Sequence, residues 1–361
     1  MMTIGKTILT VSLLSLSMVA TSLAYVTNGR HLFNSATMRL SSISFPAASP
    51  QLNAVIAAKD AWNRNPSTFQ FTLLFNDTSV AKGNGQNEIW FNPTIGFPAV
   101  TYPIYDPASG HLIEADIIFN GTQCWAFNPT DYTNLEGYGT NCRLMEATAV
   151  HELGHALGLA HEGDEYNVMG NAWTHVHVNG STADAYVGED ASDGAVALYG
   201  LSVSAGQDVS VSHWKYDAAA TGSSEYSSHM RVELFDTNGN PLSGTLIEGN
   251  ATTPWATRYD VSAGQTIQIE FTYENNGAST QTPQVDLVLS DNNLITILDR
   301  WLATRHPTIS RNSVHTQQYT VTLPANITPG IKWIGAVVDP LDVISEVDET
   351  NNATWIPIEV Q

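Results

Sequence analysis

The chain has 361 residues, with 14 Lys or Arg against 35 Asp or Glu and a formal net charge of −21. Such an acidic surface repels nucleic acid and anionic membranes and excludes both as partners. Hydrophobic residues make up 43% of the chain, enough for ordinary cores, and the length allows two or three domains.

Residues 1–24 read as a signal peptide. Lys6 supplies the positive start, and Ile8 to Ala20 is apolar but shorter than the roughly twenty residues of a membrane span. Ser22-Leu23-Ala24 offers small residues for cleavage after Ala24. No later stretch is long and apolar enough to span a membrane. The mature chain is therefore expected to be secreted and extracellular, with attachment to a cell surface left open.

From Thr37 the pattern predicts a compact domain. Met38-Arg39-Leu40 and Ile43-Ser44-Phe45 predict a first strand. Pro50 to Asn63 predicts a helix: Pro50 suits a first turn, and Leu52, Val55, Ile56, Ala61 and Trp62 form an apolar stripe. Phe69 to Leu73, Asn87 to Phe91, Ala99 to Tyr105 and Ile113 to Asn120 predict further strands. The two cysteines, Cys124 and Cys142, form an even pair, which in an exported protein predicts one disulfide closing a loop just ahead of the next helix.

That helix is expected to begin near Cys142 or Arg143. It carries His151-Glu152-Leu153-Gly154-His155-Ala156-Leu157-Gly158-Leu159-Ala160-His161. Residues i and i+4 share a helix face, so His151 and His155 can offer two imidazoles to one ion. Gly158 lets the chain leave the helix, and His161 can return as a third nitrogen. Three neutral imidazoles and one open position suit a catalytic Zn2+, with Glu152 beside it as general base.

HExxHxxGxxH followed by a methionine resembles the signature of the metzincin zinc endopeptidases. Met169, eight residues past His161, gives the spacing a matrixin-like character. The resemblance implies an α+β catalytic domain with a mixed twisted sheet over residues 25–200, ending at Ala197-Leu198-Tyr199-Gly200. It implies that Met169 forms a hydrophobic floor beneath the metal. It also implies that Ala99-Val100-Thr101-Tyr102-Pro103 is an edge strand above the cleft, where an extended peptide adds itself as one more strand. Gly170 to Gly180, with Trp173, His175 and His177, would form the pocket wall.

The sequence departs from the family in several places. Ile118 stands where a structural-zinc histidine is expected, and Asn120 and Gln123 replace calcium-binding carboxylates, which argues against a second zinc and leaves calcium in doubt there. Asn171 removes the metal-facing tyrosine of astacins and serralysins. No cysteine precedes the domain, so a cysteine switch is unavailable. His175 and His177 read as solvated strand histidines in preference to an accessory metal site.

From Leu201 helical patterns vanish. Val209 to Val211, Met230 to Phe235, Gln265 to Tyr273, Val285 to Leu289, Gln317 to Leu323 and Ile331 to Val338 alternate as strands, separated by Asn- and Gly-rich turns. This predicts an all-β immunoglobulin-like sandwich over residues 201–361. Trp333 to Pro340 followed by Ser345 to Asn352 resembles the CARDB domain, a cell-adhesion-related module of bacterial surface and secreted proteins. Asp339, Glu346, Asp348 and Glu349 could bind Ca2+, though a solvated acidic turn is the simpler reading.

The combined expectation is a secreted zinc-dependent endopeptidase acting on protein or peptide substrates, with a cell-surface or matrix ligand for the sandwich. The alternative is an extracellular adhesion protein whose metal domain is catalytically silent.

Overall fold

The computed structural model describes residues 25–127, 131–138, 140–162, 167–170, 176–216, 231–250 and 253–361. The proposed signal peptide, Asn171, Trp173 and His175 lie outside the described residues.

A five-stranded sheet forms from Ser35–Ser41 (β1), Gln70–Asp77 (β2), Asn87–Asn92 (β3), Ala99–Tyr105 (β4) and Leu112–Asn120 (β5), in the order β2-β1-β3-β5-β4. Neighbours run parallel except β4, which lies antiparallel to β5 at the edge. The helix Pro50–Arg64 (α1) is capped by Ser49, whose hydroxyl accepts the Leu52 amide at 3.3 Å. Its buried residues are Leu52, Ala54, Val55, Ala58, Ala61 and Trp62, so the apolar stripe is built as much from alanines as from the bulky residues.

Residues 42–45 do not extend the first strand. They form a turn in which the Phe45 amide bonds the Ser41 carbonyl at 2.8 Å. Phe45 folds inward at 4% exposure while Ile43 is left 84% exposed, so the alternation comes from a bend.

Trp125–Ala126 (β6) and Arg143–Leu144 (β7) pair in parallel, and the Cys124–Cys142 disulfide staples their starts. This short ladder delays the next helix, which begins at Met145 and not at Cys142 or Arg143. Met145–Leu157 (α2) packs against α1, with the Trp62 indole N–H donating to the Val150 carbonyl at 2.8 Å. A hairpin of Val176–Asn179 (β8) and Thr182–Ala185 (β9) follows, then the helix Glu189–Tyr199 (α3).

The remaining strands are Val209–Ser212 (β10), Leu234–Phe235 (β11), Gly244–Asn250 (β12), Thr253–Val261 (β13), Thr266–Asn275 (β14), Val285–Ser290 (β15), Arg300–Arg305 (β16), Ser313–Thr322 (β17), Gly330–Val338 (β18) and Ala353–Val360 (β19). One sheet runs β10-β14-β11 with β17 also on β14; the other runs β12-β13-β19-β18-β15-β16. Val211, Ile269, Phe271, Leu287, Ile334 and Ile358 share one buried core, the filling of a two-sheet sandwich.

The strands β12, β13, β16 and β19 were not legible in the sequence. β19 contains Pro357, which counts against a strand. Pro357 is tolerated because only the next residues, Ile358 to Val360, pair with β13.

The two bodies meet over β8. The Trp214 indole N–H donates to the Val176 carbonyl at 3.0 Å, and the Thr354 hydroxyl to the Val178 carbonyl at 2.9 Å. Asn179 exchanges two hydrogen bonds with the Ile295 backbone, at 2.9 and 2.7 Å. Trp214, Val288, Ile295, Val337 and Trp355 belong to the same apolar cluster as α1 and α2. The Arg231 guanidinium stacks on Trp214 and Tyr138 and pairs with Glu248 at 2.7 Å.

Two sequence expectations change here. His177 is not solvated: it is 2% exposed because the second body covers β8, and burial lowers its pKa to about 4. The acidic stretch is not a simple solvated turn either. Asp339 is buried and accepts the Ile344 amide at 2.7 Å, and burial raises Glu346 to about 8.

Candidate metal centre and cleft

The helix α2 carries His151 and His155 one turn apart. It ends at Gly158, whose φ of 116° is a left-handed conformation that side chains resist. A Cβ there would also lie 2.0 Å from the Gly29 carbonyl oxygen. The turn brings His161 back, and the ligand nitrogens of all three histidines lie within 4.8 Å of one another.

The hydrogen bonds decide what that cluster can hold. His151 Nδ1 lies 2.6 Å from the Val168 carbonyl, and His155 Nδ1 lies 2.8 Å from the Leu159 carbonyl. A carbonyl only accepts, so each Nδ1 carries its proton and each Nε2 presents a lone pair. Yet His151 Nε2 sits 3.1 Å from His155 Nε2 and 3.2 Å from His161 Nε2. Lone pairs facing one another repel, and a cation between them is what this donor set fits. Burial pushes His151 well below its ordinary pKa and His155 to about 4, so both are neutral at pH 7.

Glu152 is 4% exposed and faces the same cleft. Burial raises its carboxyl to about 7, against the hydrogen bond from Thr101 that pulls it down. Thr101 stands on β4, which forms the upper rim of a cleft of about 460 Å³ with the histidines on its floor. Met169 is 1% exposed beneath α2, where a Cβ added to Gly154 would come within 2.4 Å of its Sδ. The Met169 amide donates to the Asn167 side-chain oxygen at 2.7 Å, and Asn167 donates to Asp190 of α3 at 2.5 Å.

The sequence-predicted set His151, Glu152, His155, Gly158, His161 and Met169 thus comes together in one place. Asn120 does not face it: its side-chain oxygen accepts the Thr122 amide at 2.8 Å in a local turn, and Gln123 is half-exposed on the same turn.

Two participants, Asp190 and the segment around Asn28, had no signal in the sequence, and a third, Thr101, was expected above the cleft but not bonded to Glu152. Thr101 lies 51 residues from Glu152. Asp190 reaches the Met169 turn only because α3 packs there. The segment around Asn28 pairs with the chain after α2, its amide donating to the Gly158 carbonyl at 2.9 Å, and lines the cleft. A further cluster was also missed. Glu88, Glu114 and Asp116 are all buried and accept amides of the loop at Ala81, Gly83, Asn84 and Gly85 at 2.7 to 3.1 Å.

Residues 62–200 match the family model described as Matrixin, and residues 253–355 match that described as CARDB. The chain therefore joins a matrixin-family domain, which at family level is a metallopeptidase domain and implies zinc, to a CARDB domain, which is a β-sandwich. No curated protein matches the chain. Among solved structures it is similar to a crystal structure of a CARDB domain from Pyrococcus furiosus in complex with di-metal ions. That match has 16% identity and a TM-score of 0.23, covering 28% of this chain and 83% of that one. It is also similar to a solution NMR structure of a CARDB domain from the same organism, at 13% identity and a TM-score of 0.25, covering 43% of this chain and 95% of that one.

Proposed function

We propose that the protein is a secreted zinc-dependent endopeptidase. The observation that carries this is the convergence of three imidazole Nε2 atoms, that of His151 lying 3.1 Å from His155 and 3.2 Å from His161, beside a buried glutamate in an open cleft. His151, His155 and His161 would hold the ion. When bound, zinc supplies a Lewis acid that brings its water to a pKa of about 7 and polarises the scissile carbonyl.

The chain's own residues do the rest. Val168 and Leu159 fix the ring tautomers through their carbonyls. An extended peptide adds to the free edge of β4, main chain to main chain, which lays its scissile bond over the histidines. Glu152 takes the proton of the attacking water as the C–O bond forms, and passes it to the amine nitrogen as the C–N bond breaks. Burial raises its carboxyl above the ordinary carboxylate range, which favours holding the proton between the two steps. Met169 fills the space under Gly154 and keeps α2 at its height.

The disulfide supports export, because such bonds persist in oxidising compartments. We place the peptidase domain at residues 25–200 and the sandwich at 201–361, with residues 1–24 removed as a signal peptide. The sandwich serves as the site for a surface or substrate ligand.

The test is cleavage of a mixed peptide library by the mature protein, with and without a zinc chelator, alongside Glu152→Gln. Chelator-sensitive cleavage restored by zinc is expected. Glu152→Gln should bind zinc as the parent does and lose turnover by about 10²- to 10⁴-fold. Metal-loaded, folded parent that cuts nothing would leave the binding-protein reading in its place.

A further inference from the structure

The helix α3 starts without a cap of its own. Gly188 at its N-cap, at φ 80° and ψ 160°, offers no side-chain hydrogen bond. First-turn amides have no partner within their helix. The Glu189 amide instead donates to the carboxylate of Glu274, which stands on β14 of the sandwich, 85 residues further along the chain. A carboxylate at this end also meets the positive pole of the helix dipole. Glu274 is 1% exposed, so the bond forms out of water. A second link runs beside it: the Ser192 hydroxyl donates to the Asn276 carbonyl at 3.3 Å.

The next residue of α3 reaches the turn that carries Met169. Asp190 accepts from the Asn167 amide group at 2.5 Å, and Asn167 accepts the Met169 amide at 2.7 Å. Val168, between them, presents the carbonyl that holds His151 Nδ1 at 2.6 Å. An unbroken series of hydrogen bonds and adjacent residues thus leads from the sandwich to a metal-facing ring. Ligand orientation tolerates errors of only about half an ångström, so a helix end fixed from outside matters there.

We propose that Glu274 is a positioning residue for the His151, His155 and His161 centre. By capping α3 it fixes Asp190, and with it the Asn167 to Met169 turn that orients His151. The inference rests on the reading of that centre as a metal site, and it makes the second body part of the first body's chemistry.

The experiment compares the full-length parent with Glu274→Ala and Glu274→Gln. Three readouts are followed: the visible spectrum of the cobalt-loaded protein, metal affinity by chelator competition, and amide exchange at residues 167–170 without metal. Glu274→Ala should weaken metal binding by about tenfold, alter the cobalt spectrum and speed exchange at Met169. Glu274→Gln keeps an oxygen that accepts, and should stay within about twofold of the parent.

A Glu274→Ala protein with parental spectrum, affinity and exchange overturns the proposal, as does a Glu274→Gln protein equally impaired. If Glu274→Ala does not fold, Glu274→Asp, one methylene short of the amide, is read by the same criteria. None of these readouts needs cleavage. A protein that bound metal but cut nothing would sink the peptidase reading and leave this one standing, while a parent that bound none would leave it to amide exchange.

Discussion

The Thr101 hydroxyl donates to the Glu152 carboxylate at 2.5 Å, tying the rim of the cleft to its base. A carboxylate that accepts such a bond keeps its charge more readily. Thr101→Val removes the bond at nearly constant volume. On the proposed mechanism Glu152 must be ionised to take a proton, so the acid limb of the kcat/KM profile should move up by about one pH unit. An unmoved limb would show that the bond does not set the base.

Gly154 packs on Met169, and a Cβ there would come within 2.4 Å of its Sδ and 3.1 Å of the Trp62 ring. Trp62 and Met169 are both buried, so neither can step aside. Gly154→Ala should therefore cost about 1–3 kcal/mol of stability despite alanine's better helix propensity. Thermal melting of the metal-free protein checks this, and a higher melting temperature would refute it.

The Cys124–Cys142 bridge spans a separation of 18 residues just ahead of α2. Closing a loop of that size stabilises a fold by about 3 kcal/mol through the unfolded chain. Reduction, or Cys124→Ser with Cys142→Ser, should lower the melting temperature more than calcium chelation does. The reverse order would make calcium the brace of this region.

The motif helix was legible because its ligands sit four residues apart, so local geometry alone places His151 and His155 on one face. β1 and the start of β2 were legible because buried and exposed residues alternate there. What was hidden depends on contacts across long separations. The resemblance puts Thr101 above the cleft, but nothing near Thr101 reports its hydrogen bond to Glu152. Nothing near His177 reports that Trp214 and Thr354 will close over β8, so a strand with alternating polar residues looked solvated. β16 reads poorly for another reason: Arg300 and Trp301 are exposed on an edge strand, where no buried face imposes a period.

Stability of the metal-free protein should peak in mild acid. Burial raises Asp208, at the junction of the two bodies, to about 7 and Glu346, within the second body, to about 8. The folded state binds those protons more tightly than the unfolded chain, so their contribution is full below the ordinary carboxylate values of 3.8 and 4.5 and is lost progressively as pH rises from there to 7 and 8. His155 acts oppositely: its pKa falls from 6.5 to about 4, so its contribution is lost as pH falls through that window. Melting temperatures against pH in a chelator should show both limbs. Asp208→Asn should flatten the alkaline one, and an unchanged alkaline limb would remove Asp208 from this role.

The bonds from Trp214 and Thr354 to β8 have a geometric consequence for any large substrate. A module on a flexible tether lets a blade strike anywhere within its leash. Here the second body is bolted to the hairpin that follows the metal centre, so it works as a ruler. A ligand gripped by the sandwich would be presented at a set distance and angle, and cuts in an extended chain should fall a constant number of residues from the point of grip.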